Sequence, residues 1–198
     1  SESHVIMVTS ANPGSGKTFI SFNLAASLGI KGKRTIAIDL DLRKGSLSQY
    51  AGRPKKGISD YLAGDVKNIK DVIAKIELIP VGTVPPNPTE LLFSERLEKL
   101  IADLRKEYDY IFIDCPPVEI VADAAIISKQ ADMTLFIVRA GLLDRSMLPE
   151  IEKFYTDKKY KNMSLILNGT DGGSGRYGYK YGYKYGYHYG YAGYTKEE

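Results

Sequence analysis

Lys17 and Thr18 close the octapeptide Ala11-Asn-Pro-Gly-Ser-Gly-Lys-Thr18, whose residue types and spacing suit phosphate binding. Backbone N–H groups of such a loop wrap phosphate oxygens, and the helix that follows adds partial positive charge from its N-terminus. Gly14 and Gly16 let the backbone come close where a Cβ would obstruct it. Lys17 is expected to reach the β- and γ-phosphates of a nucleotide such as ATP, and the Thr18 hydroxyl to bind Mg2+. Pro13, Ser15 and Phe19 complete the nucleotide-contacting set expected around this loop. Its first position is Ala11 instead of the usual Gly, a tolerable change because Ala is the next smallest residue. A dinucleotide-binding loop needs a third glycine where this chain has Phe19, so that reading fails.

Three carboxylates follow apolar runs. Asp114 ends Tyr110-Ile-Phe-Ile-Asp114, and Asp39 ends Arg34-Thr-Ile-Ala-Ile-Asp39, with Asp41 two residues on. Mg2+ takes oxygen ligands, often through water, and Asp114 is placed to hold a metal-bound water or the Thr18 hydroxyl. On an extended chain Asp39 and Asp41 would point to the same side and could supply a second metal contact and a general base. We assign the base to Asp39 and the metal side to Asp41 and Asp114. A single Asp after a strand is ordinarily a helix N-cap; three of them beside a phosphate loop make a site. Cys115 reads as a small buried side chain and not a nucleophile. His4 and His188 carry no metal-ligand spacing and read as surface residues.

The positioning elements alternate. Strands are expected over 4–9, 34–39, 77–81, 110–114, 133–138 and 163–167. Helices are expected over 16–31, from Thr89 as N-cap to about Glu107, near 121–131 and over 145–159, with short helices and loops over 57–72. Apolar strands alternating with amphipathic helices imply an α/β fold, a parallel sheet with helices on both faces. Ligands in such folds bind at the carboxyl ends of the strands, where the loop and all three aspartates fall. The pattern does not choose a strand order.

With 198 residues the chain has room for one well-cored domain. A net charge of +3 is too small to point to nucleic acid. One cysteine excludes an internal disulfide framework and fits a reducing compartment. No signal peptide and no apolar run near the ~18 residues needed to span a bilayer is present, so this chain is expected to be soluble. Of 15 tyrosines most lie at the end, which splits the chain into a globular domain, 1–170, and a linker with a tyrosine-rich tail, 171–198. Asp171-Gly-Gly-Ser-Gly175 reads as a flexible linker. Tyr177, Tyr179, Tyr181, Tyr183, Tyr185, Tyr187, Tyr189 and Tyr191 then alternate mainly with Gly and Lys, and Tyr194 follows. Half the partners are Gly and no strand is left to pair with, so an accessible, disordered tail is expected.

Together these stretches resemble the bacterial tyrosine kinases of capsule and exopolysaccharide export. Their Walker A, Walker A′ and Walker B patterns match residues 11–18, 36–43 and 111–117, and Pro85-Pro-Asn-Pro-Thr-Glu-Leu91 is similar to a further family stretch. The resemblance implies a P-loop NTPase-like fold and ATP- and Mg2+-dependent autophosphorylation of the tail tyrosines, in trans between protomers. It implies Lys17 and Thr18 on phosphates and metal, with Asp39, Asp41 and Asp114 around Mg2+ and the attacking phenol. Arg43 joins the nucleotide site, and Asn168 is similar to the family's adenine-reading position. Implied partners are the chain's own protomers, a transmembrane polysaccharide co-polymerase segment or adaptor, and a tyrosine phosphatase, at the cytoplasmic side of the inner membrane. The family's upstream Glu-x-x-Arg-x-x-Arg helix and membrane adaptor are not in this sequence, so an excised cytoplasmic domain is expected. The rival is a partitioning-type ATPase of the same fold. Those proteins carry a signature Lys where this chain has Asn12, and often a basic amphipathic helix that is not found here.

Overall fold

The structure is a computed structural model that describes residues 3–118 and 123–170; the linker and the tyrosine tail, 171–198, lie outside the described residues. Among the described residues six strands, β1 (His4–Ser10), β2 (Thr35–Asp39), β3 (Leu78–Ile79), β4 (Tyr110–Asp114), β5 (Met133–Arg139) and β6 (Met163–Asn168), form one sheet. The order is β3-β2-β4-β1-β5-β6, and every pairing between these strands is parallel. Among the described residues the α-helices are α1 (Lys17–Ile30), α2 (Ile58–Ala63), α3 (Pro88–Leu92), α4 (Glu95–Glu107), α5 (Asp123–Ile127) and α6 (Leu148–Thr156). Among the described residues no helix is long and apolar enough to cross a membrane.

The strands are apolar throughout because both faces of the sheet are covered. Alternate residues point to opposite sides. Val5, Met7, Ile36, Ile38, Ile111 and Ile113 meet Leu97, Leu100, Ile101 and Leu104 of α4, with Ile127 and Ile151 from α5 and α6. Ile6, Val8, Ala37, Phe112 and Ile137 face the other way, against Ala25, Leu24 and Leu28 of α1. The spacing of 97, 100, 101 and 104 gives α4 one apolar stripe. Each such side chain, fully buried, contributes roughly 1.5–3 kcal/mol.

Several expected boundaries move. The helix behind Thr89 is two helices. Asn87 is the N-cap and Pro88 opens α3; Ser94 then turns extended, with its hydroxyl on the Leu91 carbonyl, before α4 begins. The third strand shrinks to two residues. The helix expected over 145–159 starts as a 3-10 turn, Arg145–Met147, anchored by the Asp144 side chain on the Ser146 N–H. It ends at Thr156 because Lys158 takes a left-handed conformation at φ 52°. The helix expected near 121–131 is α5 followed by a 3-10 turn over Ser128–Gln130.

Candidate nucleotide-binding and phosphotransfer site

The carboxyl ends of five strands meet at one edge of the sheet. The loop after β1 is shaped by left-handed Gly14 and Gly16, at φ 77° and 92°. The hydroxyls of Ser10 and Ser15 both donate to the Asn12 carbonyl, at 2.8 and 2.9 Å, which rounds the loop. Gly16 is the N-cap of α1 and has no side chain to occupy the helix's first N–H groups. The loop therefore presents backbone donors toward whatever sits in its bowl.

Lys17 and Thr18 enter α1 beside the end of β4. The Thr18 hydroxyl donates to Asp114 Oδ2 at 2.7 Å. Asp114 Oδ1 is buried and has no hydrogen-bond partner, the state of a carboxylate oxygen built for something else. Burial raises the Asp114 carboxyl to about 7; the neighbouring Lys17 charge opposes the rise, and Asp39 adds to it. Asp39 is raised to about 6, again chiefly by burial, while Ser48 restrains it with both its hydroxyl and its N–H at 2.7 Å from Oδ2. Asp41 is buried too, and its Oδ1 accepts from the Lys44 N–H at 3.2 Å. β2 stops at Asp39 and a turn over Leu42–Lys44 follows Asp41, whose N–H donates to Asp39 Oδ1 at 3.3 Å and whose charge bears on both Asp39 and Asp114. Cys115 is fully buried with its thiol pushed well above the ordinary range by burial, which suits packing and not nucleophilic attack.

The donor set suits a hydrated divalent cation. Among the described residues no group of three or more His, Cys, Asp or Glu side chains could cage a metal by itself. Mg2+ does not need one: it keeps several waters and takes one or two protein oxygens plus phosphate oxygens. The Thr18 hydroxyl and the unpartnered Asp114 Oδ1 are oxygens of that kind.

Other expected residues lie differently. Pro13 and Phe19 are exposed at the mouth of the loop. The Arg43 guanidinium lies 3.5 Å from the buried Asp123 carboxylate and donates to the Thr89 hydroxyl at 3.1 Å. Thr89 in turn donates to Asp123 at 2.7 Å, so it ties α3 to α5 and does not cap a helix. Asn168 ends β6, and its amide nitrogen donates to the Ser15 carbonyl at 2.9 Å. Two residues without any motif signal also belong to the site: Ser48, which holds Asp39, and Arg139, whose guanidinium donates to the Gly14 carbonyl at 2.8 Å.

A parallel sheet with this loop after its central strand and a carboxylate after the neighbouring one defines a nucleotide-binding P-loop domain, and the chain matches the AAA domain family over residues 3–165. It is 42% identical to the tyrosine-protein kinase Wzc of Salmonella typhimurium over 156 residues, which are 76% of this chain and 21% of that protein. The kinase domain of the Escherichia coli tyrosine kinase ETK superposes with a TM-score of 0.79 at 33% identity, covering 91% of this chain and 73% of that one. The septum site-determining protein MinD of Pyrococcus horikoshii, solved with Mg-ADP, superposes at 0.66 with 25% identity, covering 83% and 71%. The chain belongs to the bacterial tyrosine kinase family. It spans about a quarter of the length of the first relatives it matches, 24% in each of the first two.

Proposed function

We propose that this domain transfers the γ-phosphoryl group of ATP to tyrosine, with the tyrosines of residues 171–198 as acceptors, in trans between protomers. The observation that carries the reading is the Thr18–Asp114 hydrogen bond, which joins the phosphate loop to the strand-end carboxylates. In this reading the loop N–H groups and Lys17 bind the phosphates and offset their charge. Thr18, Asp41 and Asp114 would hold Mg2+, directly or through water. Bound Mg2+ supplies neutralisation of charge on the phosphate oxygens. Asp39 accepts the proton of the incoming phenol. A carboxyl raised to about 6 is a better base near neutrality than an ordinary aspartate, and Ser48 keeps its lone pairs oriented. Arg43 joins the nucleotide site from the turn that follows Asp41. The partitioning-type ATPase reading leaves the tail unused and lacks its signature Lys at Asn12.

In the same reading, as the resemblance of its motifs implies, the domain serves polysaccharide export at the cytoplasmic side of the inner membrane. It works there with a membrane-spanning co-polymerase, its own protomers and a tyrosine phosphatase. The test mixes a Lys17→Met protein, intact in its tail, with an active protein whose tail is deleted, in labelled ATP and Mg2+. Phosphotyrosine on the Lys17→Met tail, at a rate rising with concentration, is the expected result. Label confined to single molecules sinks the trans arrangement, and no phosphotyrosine in the unmutated protein sinks the kinase reading.

A further inference from the structure

Arg139 and Asn168 are register partners at the ends of β5 and β6, and each reaches back to the phosphate loop. Arg139 donates to the Gly14 carbonyl at 2.8 Å; Asn168 donates to the next carbonyl, that of Ser15, at 2.9 Å. The Asn168 amide cannot turn freely, because its Oδ1 accepts from the Gly169 N–H at 2.9 Å, which leaves Nδ2 facing the loop. Gly169 is left-handed at φ 68°, and a Cβ there would meet Arg139 Cγ at 3.2 Å, so the turn and the arginine stem pack together. Gly16 is equally committed: a Cβ on it would run into the Asn168 amide.

These two bonds act on the far side of the peptide units they touch. A trans peptide is planar, with its C=O and N–H directed oppositely. The Gly14 carbonyl shares a plane with the Ser15 N–H, and the Ser15 carbonyl with the Gly16 N–H. Holding both carbonyls toward β5 and β6 therefore turns both N–H groups the other way, toward the bowl of the loop. Glycine at 14 and 16 would otherwise let those peptide planes rotate at little cost.

We propose that Arg139 and Asn168 are positioning residues for phosphate binding, which aim the Ser15 and Gly16 N–H groups into the loop before nucleotide arrives. The proposal rests on the phosphate-loop reading of residues 11–18. It gives Asn168 a task distinct from reading adenine, with one of its two amide N–H groups on the Ser15 carbonyl.

The experiment measures ADP and GDP affinity, thermal midpoint, and amide exchange at Ser15 and Gly16 in nucleotide-free protein. The variants are Asn168→Leu and Arg139→Met, similar in size but without donors, and Arg139→Lys, which keeps a donor. Loss of about one hydrogen bond's worth of preorganisation predicts roughly tenfold weaker ADP binding for Asn168→Leu and Arg139→Met. The same two variants should show faster exchange at both amides, an unchanged preference for ADP over GDP, and a near-normal midpoint. Arg139→Lys should recover part of the affinity. Unchanged affinity and exchange in both donorless variants overturns the proposal while leaving the phosphate loop standing. Loss of ADP-over-GDP preference in Asn168→Leu with exchange unchanged overturns it in favour of base reading. Failure of the unmutated protein to bind ADP at all overturns the phosphate-loop reading and the proposal with it.

Discussion

Asp39 and Asp114 stand side by side as register partners on β2 and β4, and both are completely buried. Adjacent strands lie about 4.8 Å apart, so two carboxylates at this level cannot both ionise cheaply away from water. The Lys17 ammonium, also largely buried, offsets part of that charge at Asp114. The fold thus keeps an excess of acid at the one edge where a cation and a polyphosphate can neutralise each other.

The first prediction is a pH dependence of the nucleotide-free protein. Asp39 and Asp114 are raised to about 6 and about 7 from an ordinary value of 3.8. Between that value and their own, the folded state keeps protons that the unfolded state has released. Raising the pH through this window therefore removes stability. The thermal midpoint should fall by several degrees from pH 5 to pH 8, and Asp114→Asn should flatten the fall. A midpoint that rises steadily over this range would show that burial does not govern these groups.

Lys17→Met should lower tail phosphorylation by roughly a hundredfold or more, because one preorganised charge facing the transferred phosphoryl group is lost. The fold should survive. The loop is shaped by its glycines and by the Ser10 and Ser15 hydroxyls on the Asn12 carbonyl, and Asp114, at about 7, can take up a proton once its cation is gone. Quantitative phosphotyrosine mass spectrometry beside a thermal scan checks both halves.

The aspartates should separate by their metal dependence. Asp114→Asn and Thr18→Val remove oxygens at the β4 end of the site and should raise the Mg2+ concentration needed for half-maximal turnover; Thr18→Ser should restore it. Asp39→Asn should lower turnover with the Mg2+ requirement little changed. Identical Mg2+ titrations for all variants would remove the basis for dividing their roles.

Ser48→Ala tests the support of the base. The Ser48 hydroxyl donates to Asp39 Oδ2 and accepts from the Val81 N–H at 2.8 Å, all in the interior. Its removal leaves a buried N–H without its acceptor and should cost about 1–3 kcal/mol. It also takes away a donor that restrains Asp39, so the acid limb of the turnover–pH profile should move to higher pH. A destabilised variant with an unmoved acid limb would make Ser48 a packing residue only.

Much of this molecule was legible in order along the chain. The phosphate loop is eight contiguous residues, and its chemistry is carried by backbone and nearest neighbours, so residues 11–18 announce it. The strands are short apolar runs because the sheet is buried on both faces, and α4 shows its stripe at 97, 100, 101 and 104. The aspartates could be assigned to strand ends, and therefore to one edge, before any order of strands was known. Where local signals compete, reading along the chain fell short. Thr89 has the right chemistry for an N-cap, but Asn87 and Pro88 take that place, and its hydroxyl goes to Asp123 instead.

What only the tertiary structure decided is who meets whom across the sheet. Placing β4 between β2 and β1 is what brings Asp114 against both Asp39 and Thr18. Ser48 acquires its task only when the turn after β2 folds back over Asp39. Arg139 and Asn168 lie 125 and 153 positions from the carbonyls they hold. Such bonds join a side chain to a remote backbone oxygen. They leave no periodicity, spacing or composition behind in the sequence, because any residue supplies the same carbonyl and only the fold chooses which one is near.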